Sequence, residues 1–254
     1  MVSLKTRLIR EHNRLYKFWM RLLWRLNGLD APVVLMVHGF KPSPQTAFEL
    51  TAGNFERMIR HLCDKGWHAM TQEELMKGQW TRKSFYLTFD DVYDTVFTEA
   101  YPLLKLMNIP FTVFITRDLI DKPGYITAAH LKELASDTLC CIGAHGLQHC
   151  VFRNLSGNEA LHQFDTGRHW LEEQFGRTVD TFAFPYGRIV EVSCKNRKQI
   201  ARAGYEMAFS AIEGTLQSSW FTGKHFLPRV NVSERFVELF TAGKFPRYKD
   251  CEGR

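Results

Sequence analysis

From residue 31 to residue 232, short apolar runs alternate with longer segments of helical period. The run Pro32–Gly39 predicts a first strand. Phe48, Phe55, Met58, Ile59 and Leu62 recur at helical spacing and predict a helix ending near Lys65-Gly66. Trp67–Met70 reads as a second strand, and Thr71 with Glu74 three residues on predicts a capping box opening a short helix. Phe85–Phe89 is a third strand of aromatic and β-branched residues, and it runs directly into the carboxylates Asp90, Asp91 and Asp94. A helix over Thr95–Met107 then leads through Pro110 into Phe111–Ile115. Beyond it come a helix over Thr127–Ala135, a strand over Leu139–Gly143 and a helix over Asn158–Phe175. Thr181–Phe184, a helix over Glu191–Ala203, and the strands Tyr205–Phe209 and Phe226–Val232 complete the series.

Eight short strands separated mostly by helices predict an α/β fold, a distorted (β/α) barrel of seven or eight strands; an open doubly wound sheet has nearly the same pattern. Both architectures bind ligands at the carboxyl ends of their strands. Three such ends carry chemistry: Asp90-Asp91, His145 with His149, and Pro185-Tyr186-Gly187.

His145 and His149 would share a face on a helical turn, and at a strand end they would make half of a metal site. Asp91 adds an oxygen ligand and leaves a fourth position for water. Asp90 is then free to act as the base that takes a proton from that water. In Pro185-Tyr186-Gly187, proline constrains the approach, glycine permits a tight exit, and the Tyr186 N–H could donate to an oxyanion.

Thr88-Phe-Asp-Asp91, His145-Gly-Leu-Gln-His149 and Phe182-Ala-Phe-Pro-Tyr-Gly187, in that order, resemble the NodB-homology polysaccharide deacetylases of carbohydrate esterase family 4. The resemblance spans roughly residues 31 to 232. It implies hydrolytic removal of an N-acetyl group from a carbohydrate, releasing acetate. It also implies a divalent metal, Zn2+ in first place with Co2+, Ni2+ or Mn2+ as alternatives. Asp90 matches the family base, Asp91, His145 and His149 its metal triad, and Tyr186 its oxyanion donor. Two positions depart from the pattern. Val92 stands where a glycine is common, and Ala183 where an arginine usually positions the base. Arg229, on the last predicted strand, is the candidate to replace that arginine. For the general acid, His225 is nearest in sequence order and His38, at the end of the first strand, is attractive geometrically. Trp67, Trp80, Tyr93 and Tyr186 are candidates for contacting a sugar ring. A metal-dependent amidase acting on a non-carbohydrate amide and a silent carbohydrate-binding scaffold are the competing readings.

The length of 254 residues and 45% apolar composition suit one substantial core, and the six scattered cysteines suggest neither a structural zinc site nor a disulfide framework. The formal charge of +6 is concentrated: residues 1–30 hold seven Lys/Arg against two acids, leaving 26 basic and 25 acidic residues in the remainder. Within that leader Leu8, Leu15, Trp19, Leu22 and Leu26 fall at helical spacing beside a basic stripe. The pattern lacks the uninterrupted apolar core of a signal peptide or a membrane span. It predicts a helix that meets an anionic membrane surface, or alternatively packs on protein. The division expected is a leader (1–30), a deacetylase-like domain (31–243) and a solvated tail (244–254). The expected location is cytoplasmic, peripheral at the inner membrane face, with an N-acetylated carbohydrate, lipid-linked in one version, as partner. No nucleic-acid motif accompanies the basic charge.

Overall fold

The structure, a computed structural model, describes residue 28 and residues 30–244. The amphipathic leader and all but the first residue of the predicted tail therefore lie outside the described residues. Among those described, no helix is long and apolar enough to cross a membrane, and the five cysteines are unpaired thiols.

Seven parallel strands close into a barrel. Numbered in chain order they are β1 (Val33–Val37), β5 (Ser84–Phe89), β6 (Phe111–Ile115), β7 (Cys140–Ala144), β8 (Thr181–Ala183), β9 (Met207–Glu213) and β10 (Leu227–Asn231). The ring runs β1-β10-β9-β8-β7-β6-β5, and β5 returns to β1 with Val33 opposite Phe85 and Val37 opposite Phe89. The short β4 (His68–Ala69) pairs with the first two residues of β5. β2 (Gly39–Phe40) and β3 (Glu49–Leu50) form a separate small sheet beside the end of β1.

Alternation along each strand divides the core in two. Val34, Tyr86, Phe114, Ala183, Met207, Phe209 and Leu227 form one buried cluster, the barrel interior, with Met70, Leu75 and Leu216 joining it. Residues of the opposite parity, such as Leu35, Leu87 and Val113, belong to the larger cluster with the surrounding helices. Within β10 the interior parity passes from Leu227 to Arg229, which is 1% exposed. The register of β10 on β9 shifts between those two residues, from Phe209 to Glu213, at Pro228, which has no N–H to offer the ladder.

Most predicted elements form, but the small β2–β3 sheet was not anticipated, and several others differ. Phe48 is outside the first helix, which spans Ala52–Asp64 and is capped by the Thr51 side chain on the Asn54 N–H. The segment predicted as one helix over 95–107 opens with a π turn, Val96–Ala100, followed by Tyr101–Leu106. Pro102 has no N–H for the carbonyl four residues back, and the turn widens so that the Tyr101 N–H reaches Val96 O. β9 is longer than predicted. The stretch from His145 to His149 is a loop rather than a helical turn. A final helix, Glu234–Thr241, was not anticipated; Glu234 accepts from the Thr51 N–H and the Asn54 side chain, joining the last helix to the first.

Candidate active site

Asp90 continues the inward parity of Tyr86 and Thr88 past the end of β5, and its N–H is held by Val37 O at 2.9 Å. The chain then turns sharply. Asp91 and Val92 have φ of +60° and +46°, left-handed values that are unusual for any side chain and strained for a β-branched one. Neighbours in an extended strand point to opposite faces. The turn cancels that opposition and brings both carboxylates to the barrel mouth.

Arg229 grips Asp90 with both ends of its guanidinium, Nη1 to Oδ1 at 2.7 Å and Nη2 to Oδ2 at 2.6 Å. It also donates to Thr88 Oγ1 at 3.2 Å and to Ser210 O at 2.7 Å. The rings of Phe114 and Phe209 lie 5.8 and 5.9 Å from the guanidinium carbon. Burial is the largest single influence and pushes the Asp90 carboxyl upward, but the charge and hydrogen bonds of Arg229, with the His145 and His38 charges, together outweigh it and hold the group below its ordinary value. Arg229 thus occupies the place beside Asp90 for which Ala183 has no side chain. Ala183 still contributes its carbonyl oxygen, to which His145 donates from Nδ1 at 2.7 Å. A carbonyl can only accept, so the bond fixes Nδ1 as the protonated nitrogen and leaves the neutral ring's Nε2 with a lone pair.

That Nε2 lies 3.4 Å from Asp91 Oδ1, and His149 Nε2 lies 3.3 Å from the same oxygen. Asp91 Oδ1 is buried and takes no hydrogen bond. Tetrahedral ligand bonds of about 2.0–2.1 Å put neighbouring donor atoms roughly 3.4 Å apart, so the spacing suits three ligands around one small divalent ion better than direct hydrogen bonds. The donor set, two imidazole nitrogens and one carboxylate oxygen, fits such an ion chemically as well. Burial raises the Asp91 carboxyl, and the imidazoles that face it, His145 foremost with His149 and His38, together overcome that and leave Asp91 well below the usual carboxylate range.

The loop between the histidines is shaped from below. Gly146 has φ of +90°, and Gln163, buried on the helix Gly157–Phe175, accepts from the Leu147 and Gln148 N–H groups at 2.9 and 3.1 Å. On the neighbouring side Tyr186 has φ of +60°, and its ring meets His149 edge-on at 4.5 Å. Gly187 is required there. A Cβ on it would stand 2.5 Å from Ala211 N, whose N–H donates to Gly187 O at 3.0 Å.

His38 lies at the end of β1 with Nδ1 buried and unpartnered. Burial lowers its pKa, while Asp90 and then Asp91 oppose that shift. His225 is a correction. It precedes the start of β10, at the opposite end of the barrel, and its Nε2 lies 3.2 Å from Tyr205 O. Sequence order misled because the chain closes into a ring, which puts the last strand beside the first. Trp67, packed on Phe240, and Trp80, packed against the interior cluster, precede β4 and β5 respectively, at the strand-entry end of the barrel, so neither stands with Asp90 and Asp91. Tyr93 stacks on Tyr125 at 4.8 Å, with Asp91 among the charges that act on its hydroxyl. Gln163, which shapes the histidine loop, went unrecognised, and Phe48 was placed on a helix that begins after it. Nothing in sequence marks Gln163, but Thr51 as a helix cap would have excluded Phe48 from the helix.

The sequence profile of the polysaccharide deacetylase family matches residues 77–208, just over half of the chain. A Bacillus subtilis protein described as a polysaccharide deacetylase, YxkH, is 26% identical over 205 residues, covering 79% of this chain and 71% of its own. The poly-β-1,6-N-acetyl-D-glucosamine N-deacetylase of Staphylococcus aureus is 24% identical over 208 residues, 75% of this chain and 70% of that one. Two solved structures share the fold. The Streptococcus pyogenes deacetylase PplD, in complex with acetate, superposes with a TM-score of 0.73 at 20% identity, over 82% of this chain and 95% of that one. IcaB from Ammonifex degensii gives 0.72 at 24% identity, over 84% and 97%.

Proposed function

The chain belongs to the polysaccharide deacetylase family, and from that premise we propose that it hydrolyses the acetamide of N-acetylated sugar units in a glycan, with Zn2+ held by Asp91, His145 and His149. The observation that carries this reading is the division of labour between adjacent acids. Asp91 shares a donor cluster with two imidazoles, while Asp90 is gripped by Arg229 and stays outside that cluster.

The ion, when bound, supplies positive charge that acidifies water and polarises the acetyl carbonyl. Asp90, kept ionised by Arg229, takes the proton from the attacking water as its oxygen bonds to the carbonyl carbon. The carbonyl electron pair moves onto oxygen, where the Tyr186 N–H donates to it. When that pair returns, the C–N bond breaks. His38 takes up the proton that Asp90 removed from the water and passes it to the departing nitrogen, and the acetic acid formed loses its own proton to solvent, so the products are acetate and an amine, with both side chains returned to their starting states. Arg229 is a positioning residue in this scheme.

The S. aureus relative acts, by its name, on poly-β-1,6-N-acetyl-D-glucosamine, which supports a polymer of that sugar as the first substrate to try. The basic, amphipathic leader supports action at an anionic membrane surface, on lipid-linked or membrane-proximal glycan. A mass-resolved panel of free, nucleotide-linked, lipid-linked and polymeric N-acetylated sugars tests the activity. The expected result is loss of one acetyl mass per reacted unit. It should depend on added metal and vanish in Asp90→Asn protein that still holds the metal. Sugar binding without acetate release would make the protein a scaffold, and release only from non-carbohydrate amides would make it an amidase.

A further inference from the structure

Among the described residues three large hydrophobic side chains are exposed: Phe48 at 44%, Tyr186 at 49% and Leu106 at 78%. Two of the three stand on imidazoles at the barrel mouth. Tyr186 meets His149 as described, and Phe48 meets His38 edge-on with ring centroids 4.9 Å apart and an interplanar angle of 64°.

Phe48 is not held out by a loose loop. The Glu49 carboxylate accepts from the Gln45 N–H at 2.6 Å and the Thr46 N–H at 3.2 Å, and pairs with Lys41. Phe48's own N–H is 3.3 Å from Thr46 Oγ1. Ala47 O accepts from Asn231 Nδ2 at 2.8 Å, which ties the loop to β10 two residues beyond Arg229. A loop so restrained could have turned an apolar ring inward, where burial favours it. It presents the ring to solvent beside the catalytic groups instead. Exposed aromatic faces in that position suit the C–H face of a pyranose, an apolar surface ringed by hydroxyls.

We infer that Phe48 is a substrate-contacting wall, on which the sugar ring bearing the acetamide packs so that its carbonyl is presented to Asp90. The inference rests on the carbohydrate reading of the site. It assigns Phe48 to ring recognition rather than to bond breaking, with Tyr186 as the wall on the His149 side.

The test compares metal-loaded Phe48→Leu and Phe48→Trp with the parent protein on an N-acetylglucosamine oligomer. Leucine keeps apolar bulk over His38 but removes the aromatic face. The expected result is a rise in KM of about tenfold for Phe48→Leu with kcat within about twofold, and recovery of most of the KM in Phe48→Trp. Calorimetric titration of the same oligomer into each variant, made in an Asp90→Asn background so that nothing turns over, should show the same weakening in Kd. An unchanged KM and Kd in Phe48→Leu would overturn the inference, leaving the function intact. So would a fall in kcat and a displaced pH profile at constant KM, which would make the ring a packing support for His38. Failure of the parent protein to bind or deacetylate any such oligomer, while it releases acetate from other amides, would remove the carbohydrate reading and this inference with it.

Discussion

Arg229 holds a carboxylate that water scarcely reaches, Asp90 being 3% exposed. Removing one partner of a buried ion pair leaves the other charge uncompensated, at a cost of about 3–5 kcal/mol. Arg229→Met is therefore expected to lower the unfolding free energy by about that amount and to abolish turnover. The double variant Arg229→Met/Asp90→Asn should recover about half or more of the loss, because the stranded charge is gone. Denaturant unfolding measures both. Metal content should stay near that of the parent in both variants, since Asp91, His145 and His149 are untouched. Loss of metal along with stability would show that the pair and the donor cluster are one unit.

Among the elements, β7 delivers His145, and its entry is tied by Asp137. That carboxylate accepts from the Leu139 N–H at 2.9 Å and from the Tyr101 hydroxyl at 2.7 Å, with Lys105 at 3.5 Å. The Leu139 N–H is the main cause of a pKa below the ordinary value; the remaining hydrogen bond and charge add to it against a smaller burial effect. A depressed carboxyl pKa contributes stability that is present above the unfolded value, about 3.9, and is lost as pH falls through the folded one. Stability is thus expected to fall more steeply below about pH 4 in the parent than in Asp137→Asn, which removes the titrating group. Thermal unfolding between neutral pH and about pH 3 checks this, and parallel curves would exclude a contribution from Asp137. Elements such as β6 were legible because an apolar run met clear boundaries, here Pro110 before Phe111. The π turn was not, because periodicity does not register the N–H missing at Pro102. Phe48 was misassigned because its spacing from Phe55 fits a helical face as well as it fits chance. The donor cluster Asp91, His145 and His149 was readable as residue types at strand ends. The left-handed turn that aims Asp91, and the Gln163 side chain that shapes the histidine loop, leave no local signature.

At the scale of the whole molecule, the barrel mouth is built from the ends of β1, β5, β7, β8 and β10, and in sequence the leader precedes β1. Its seven basic residues are expected to carry most of any attraction to anionic lipid, at about 1 kcal/mol for each charge that reaches the surface. Co-sedimentation with phosphatidylserine-containing vesicles should therefore retain the full chain at low salt and lose it at high salt. A chain beginning at residue 28 should stay in the supernatant. Equal retention of the two forms would place the membrane contact elsewhere, and retention of neither would end the membrane proposal.

Arg229 lies 139 residues beyond Asp90, whereas Asp91, His145 and His149 are all upstream of β10. During synthesis the three donor residues are therefore all present in the emerging chain before Asp90 has its partner, which arrives only with the strand that closes the ring. A product interrupted before β10 would carry the three donor residues of the proposed metal site but lack the guanidinium that orients Asp90, so truncation from the C-terminal side removes the positioning of the proposed base first.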